Sequence, residues 1–159
     1  MRIGLIAVLV AALSAAGPSQ SHNRAQMAIP PKFSIVISTK ETTITAGWEV
    51  RMEIAITNIT DHPIKIAAGP GTYPYVLDVR DADGNLAPET AYGHKMRTEQ
   101  DLVSGMTLAN TLEPGETEKL ECVVSEWNDL TKPGTYFIQI QRWRHPNVKS
   151  NKLMITVTP

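Results

Sequence analysis

The sequence predicts an all-β chain folded as an antiparallel β-sandwich of about seven to eight strands. Three observations predict it. Val50, Met52, Ile54 and Ile56 alternate with Glu49, Arg51, Glu53 and Thr57, the period of a strand with one face in a core. Tyr136, Ile138 and Ile140 alternate in the same way with Phe137, Gln139 and Gln141. Turn chemistry separates such runs, at Asp83-Gly84, Pro114-Gly115 and Pro133-Gly134. Gly134-Thr135-Tyr136 at a strand entrance matches the tyrosine corner, in which a Tyr hydroxyl bonds back to upstream backbone. The sandwich is therefore expected to be Ig-like, with Greek-key connections.

In chain order, Met1 to Ala16 carries one positive charge, Arg2, then an apolar run and the small residues Ser14, Ala15 and Ala16. That is the order of a secretory signal, with cleavage expected after Ala16. The apolar run from Ile3 to Leu13 is shorter than the ~20 residues a bilayer span needs. An uncleaved anchor is the alternative. Residues 17–31 are rich in Pro, Ser, Gln and Asn without a period, and read as a disordered linker. Residues 32–159 form the sandwich domain, long enough for a core without staples. The expected location is extracytoplasmic, either periplasmic or secreted.

Phe33, Ile35 and Ile37 give the first strand, and Thr42 to Gly47 turns the chain. The clearest strand starts at Trp48 and ends near Asn58, and Asn58 to Pro63 connects to a strand holding Ile64 and Ile66. Tyr75 to Arg80 follows, closed by the Asp81–Asn85 turn. Leu86 to Ser104 is polar and keeps neither period, compatible with an edge strand or one helical turn about Arg97 to Leu102. Leu120, Cys122 and Val124 offer an inward face, Trp127 and Leu130 plug the core, and Leu153, Ile155 and Val157 form the last strand.

Three segments carry a resemblance: Val79 to Gly84, Leu112 to Glu116, and Leu130 to Tyr136. Their order and spacing are similar to Ig-like domains of bacterial secreted proteins, and distantly resemble the BsuPI-type proteinase inhibitors. That resemblance implies a sandwich fold and a protease as one class of partner. It supplies no reactive-site residue.

Composition narrows the function classes. Fifteen basic and 16 acidic residues give a formal net charge of −1 at pH 7, with the signs interspersed. Neither nucleic acid nor an anionic membrane is an expected partner beyond the signal segment. A single Cys in an exported chain makes no internal disulfide, and Cys122 alternates like a small buried hydrophobe. His22, His62, His94 and His145 hold no metal-ligand spacing, and Asp78, Asp81 and Asp83 lack the downstream Glu of a calcium loop. No metal or cofactor is expected. Asn58-Ile59-Thr60 fits the glycosylation pattern, which has meaning only in a eukaryotic secretory route. No Ser lies in a Gly-x-Ser-x-Gly setting.

A non-catalytic protein-binding module is thus the expectation, a protease inhibitor or accessory subunit among its forms. The alternative is a hydrolytic or metal-dependent enzyme assembled from loop residues. One candidate surface is Trp143, Arg144 and His145, since Trp and Arg are enriched at hot spots. The ordinary reading has Trp143 covering a sheet edge and Arg144 in water. The other candidate is the Pro-flanked loop bearing Tyr73 and Tyr75, placed at the opposite pole of the sandwich, or else a plain rigid turn.

Overall fold

A computed structural model of the chain describes residues 30–68, 75–103, 108–142 and 145–159. The export segment and most of the linker, residues 1–29, lie outside the described residues. The elements are β1 (Phe33–Ser38), β2 (Thr43–Thr45), β3 (Arg51–Asn58), β4 (Ile64–Ala68) and β5 (Tyr75–Asp81). Then come α1 (Ala91–Val103), β6 (Leu108–Leu112), β7 (Thr117–Val123) and α2 (Val124–Trp127). β8 (Gly134–Arg142), β9 (His145–Lys149) and β10 (Leu153–Thr158) complete the chain.

The expected alternation becomes burial. Along β3 the even positions Met52, Ile54 and Ile56 are buried while Arg51 is exposed. Along β8 Tyr136, Ile138 and Ile140 are buried while Phe137 faces water. These faces meet because the strands lie in different layers. One sheet has the order β1-β3-β7, the other β2-β10-β8-β5 with β9 also on β8, and β4 pairs with β6. Ile35, Ile37, Val50, Cys122, Val124, Leu130, Ile155 and Val157 join the same core. Leu120 and Leu153, expected inside, are half-buried at its margin. The all-β sandwich stands.

Among the described residues ten strands form where seven to eight were expected. β2 is one addition: the segment expected only to turn the chain pairs parallel with β10, Val157 opposite Ile44. β9 is the other, an antiparallel partner of the end of β8 with a register shift between Gln141 and Arg142. Both are short and have too few residues for a period to show.

α1 is the larger difference. Residues expected to hold at most one helical turn form a helix of 13 residues. Its entrance explains it. Thr90 Oγ accepts the Gly93 N–H at 3.0 Å, the bond of a helix N-cap. The Thr90 N–H in turn donates to the Trp127 carbonyl at 3.0 Å. Gly93 sits so close to α2 that a Cβ there would lie 2.1 Å from the Trp127 carbonyl oxygen. The Tyr92 ring meets Trp127 edge-on, centroids 5.6 Å apart. Tertiary contact with the Val124–Trp127 turn, more than an apolar stripe of its own, holds the helix.

Two polar devices fix the ends of the sandwich. The Tyr136 hydroxyl donates to the Lys132 carbonyl at 2.8 Å, the corner expected from Gly-x-Tyr. Asn58, 1% exposed, uses its whole side-chain amide. Its Nδ2 donates to the carbonyls of His62 (2.9 Å) and Leu112 (3.0 Å), and its Oδ1 accepts from the Thr60 N–H and hydroxyl.

Two substitutions test the tyrosine corner and the close helix contact. Tyr136→Phe should cost about 1–3 kcal/mol in urea unfolding, because the Lys132 carbonyl loses its donor. Gly93→Ala should lower the urea midpoint as well, and should also reduce the helical signal in far-UV circular dichroism, since backbone must move to admit the methyl. Parent-like midpoints would remove the corner and the close helix contact from the stability of this fold.

Candidate binding surface

The two candidate loops leave neighbouring strands at one end of the sheet. Tyr75 opens β5 and Arg142 closes β8, and the two residues are paired across the sheet. This corrects the expected placement at opposite poles, since antiparallel pairing puts the start of one strand beside the end of the other. Tyr75 itself is a second correction. It is 2% exposed and belongs to the core, because its place in the β5 pleat turns the ring inward. The buried Arg142 guanidinium carbon lies 5.0 Å from the Tyr75 ring centroid and 5.7 Å from that of Phe33. It joins the two layers by cation–π contact. Burial pushes the Tyr75 hydroxyl pKa up, against the opposing influence of Arg142. Tyr73, Trp143 and Arg144 lie outside the described residues. His145 opens β9, and its side chain is likewise outside them.

Residues with catalytic potential are tied to local structure. Asp81 accepts from the Asn85 amide and from the backbone N–H groups of Asn85 (2.9 Å) and Asp83 (3.0 Å), which lowers its pKa. Its carboxylate thus closes its own turn. His62 Nδ1 lies 2.8 Å from Asp61, whose pKa that bond lowers, in full exposure to water. Ser125 and Ser150 hydroxyls accept the Val50 and Ile140 N–H groups. Among the described residues no group of three His, Cys, Asp or Glu side chains is arranged to hold a metal ion. A small hollow of about 40 Å³ between β5, α1 and Trp127 has room for little more than one water.

A larger concavity lies at the other pole. A groove of about 800 Å³ runs between the Ser38–Glu41 loop, the turn at Gly47-Trp48-Glu49 and the outward face of β3. That volume falls within the range of about 300–1,000 Å³ typical of ligand clefts. Ile44, Met52 and Glu121 of β7 also line it. Trp48 stands at its rim with 71% of its surface in water. Parity along β3 places Trp48 on the inward face, but the chain turns before the strand starts. Gly47 has φ 83°, which other residues rarely adopt, and the Trp48 N–H closes the turn on the Thr45 carbonyl at 3.0 Å. The ring is thereby swung out of phase.

Both walls are pinned. The Thr39 hydroxyl donates to the Arg51 carbonyl at 2.8 Å, and the Ala46 N–H donates to the Thr158 carbonyl at 2.8 Å. A surface whose backbone is already ordered loses less entropy on binding. A Trp so exposed beside a concave, ordered surface was legible only as a large aromatic next to Ala46-Gly47.

No family profile and no curated protein matches the chain. Among solved structures, a β-glucosidase from Listeria innocua in complex with glucose is 15% identical, covering 80% of this chain and 16% of the enzyme, at a TM-score of 0.44. A β-glucosidase from Erythrobacter marinus is 14% identical over 79% of this chain and 15% of the enzyme, at 0.45. The chain thus spans a small part of the length of these enzymes. A PapD-like domain of human CEP192 is 14% identical, covering 89% of this chain and 94% of the domain, at 0.26. Likeness this distant carries no argument about activity or partner.

Cys122 lies on the inward side of the groove's sheet, opposite Met52. Burial pushes its thiol up to about 12, with Glu126 adding to the effect. Deprotonation is therefore suppressed in the fold, and the stability gained from keeping the thiol neutral is lost as pH rises from the ordinary thiol range toward that value. Iodoacetamide at mildly alkaline pH should leave the folded chain unmodified and alkylate it fully in denaturing urea, as read by intact mass. Rapid alkylation of the folded chain would place Cys122 at the surface.

Proposed function

We propose that this chain is an exported, non-catalytic protein-binding module, and that its partner docks at the pole carrying Trp48. One observation carries the reading. A fully formed, hydrogen-bonded turn holds Trp48 out over an open groove, although the same residue could have been buried by the alternation of β3. Keeping so much aromatic surface in water works against folding, at ~25 cal/mol per Å² of apolar area left exposed. Large aromatics with ordered surroundings are what binding hot spots are built from. Export rests on the order of charge, apolar run and small residues in Met1 to Ala16. The resemblance to BsuPI-type inhibitors adds proteases to the partners worth testing.

The test uses the mature chain as bait in the host's extracytoplasmic fraction, followed by measured affinities for any protein recovered. Trp48→Ala should weaken binding by roughly 30-fold, the effect of a hot spot of about 2 kcal/mol, while leaving the urea midpoint unchanged. If the recovered partner is a protease, its activity should fall on titration with the parent and not with the variant. Equal affinity of parent and variant would move the site away from this pole, and matching losses in Tyr73→Ala or Trp143→Ala would return it to the other.

A further inference from the structure

We infer that the groove recognises a cationic segment, an extended stretch of partner chain bearing Arg or Lys. This rests on the groove being the docking site, and deepens it by naming what the partner offers. The first observation is charge. Four glutamates, Glu41, Glu49, Glu53 and Glu121, line the groove against Lys40 and Arg51. Arg51 is already held by Glu49, and Glu53 by Lys119 at 3.0 Å. Among the described residues Glu41, Glu121 and Lys40 make no ion pair, so the groove keeps one carboxylate in excess.

The second observation is a conflict inside the sheet. Glu53 on β3 and Glu121 on β7 are direct cross-strand partners on the outward face. Like charges in that relation destabilise a sheet. Lys119 answers one of the two carboxylates and leaves the other facing the groove. A ligand cation between them would relieve the repulsion that the free protein keeps. The third is the rim. The face of an indole is the best aromatic partner for ammonium or guanidinium, and Trp48 lines the same groove as these carboxylates, 71% exposed to water. A groove of this size is too large for one small cation and matches several residues of an extended chain. Its half-open shape, between the Ser38–Glu41 loop and the Gly47–Glu49 turn, favours a segment running through it.

The experiment is an amide and indole chemical-shift titration of the isotope-labelled chain with a capped peptide alternating glycine and arginine. The expected signals to move are the Trp48 indole and the backbone N–H groups of Glu41, Glu53 and Glu121. A glutamate counterpart of the peptide should move none of them. Glu121→Gln and Trp48→Ala should each weaken the peptide about tenfold, and added salt should weaken it further. Glu121→Gln should do so without lowering the urea midpoint, because it removes a repulsion. Shifts equal for both peptides, shifts scattered over other acidic surfaces, or full affinity in Glu121→Gln would overturn the inference. So would spermidine moving the same signals as strongly, since a free polyamine would then suffice. A protein partner that binds the parent and not Trp48→Ala, with the arginine peptide inert, overturns the cationic segment alone and leaves the docking pole standing.

Discussion

Strand β8 lies in the middle of the fold, and its buried backbone must be hydrogen-bonded along both edges. One edge is covered by β5 over the full length from Tyr136 to Arg142. The other is shared, with β10 reaching only to Ile138 and β9 beginning at Gln141. The gap falls at Ile140, which is fully buried, where an unmet N–H would cost about 1–3 kcal/mol. Ser150 closes it. Its hydroxyl accepts the Ile140 N–H at 3.0 Å, and its own N–H donates to the Ile140 carbonyl at 2.9 Å. The next residue can then leave the sheet. Asn151 crosses to β1, taking the Ile37 N–H on its Oδ1 and giving its Nδ2 to the Ile37 carbonyl. A side-chain amide thus pairs with the free edge of the opposite layer as a strand would, and binds the two sheets at their margin.

The parts of this architecture that a period or a turn motif can encode were legible. Val50 to Ile56 and Tyr136 to Ile140 show strict alternation, and each buried the face that alternation named. Gly134-Thr135-Tyr136 announced its own hydrogen bond. What failed has a common cause, which is dependence on residues far away in sequence. The α1 helix has no apolar stripe; its start is defined by Thr90 and Gly93 against Trp127, and only the fold brings these together. β2 is three residues long and exists because β10 lies beside it. Tyr75 follows a proline-rich loop, and nothing local says that its ring turns inward to meet Arg142.

The candidate surface shows the same limit more sharply. Trp48 has the parity of a core residue, and the turn at Gly47 overrides parity. Glu53 and Glu121 are unremarkable as separate acidic residues 68 positions apart, and become neighbours only through the register of β3 with β7. Electrostatic character of this kind belongs to the tertiary structure. The near-neutral total charge conceals it, since of the described basic residues only Lys40 and Arg51 line the groove beside its four glutamates.

Asn58 carries a further consequence, one of biosynthesis. Its Nδ2 has two hydrogens, and the fold commits both, to the His62 and Leu112 carbonyls. A sugar joined to that nitrogen would displace one of them and would have to fit where almost no surface is open. Oligosaccharide transfer in a eukaryotic secretory pathway acts on Asn-x-Thr while the chain is still unfolded. A chain made there and modified at Asn58 could not form this β3–β4 junction. The sequence pattern that reads as an invitation to glycosylation therefore ties correct folding to a host that leaves it bare.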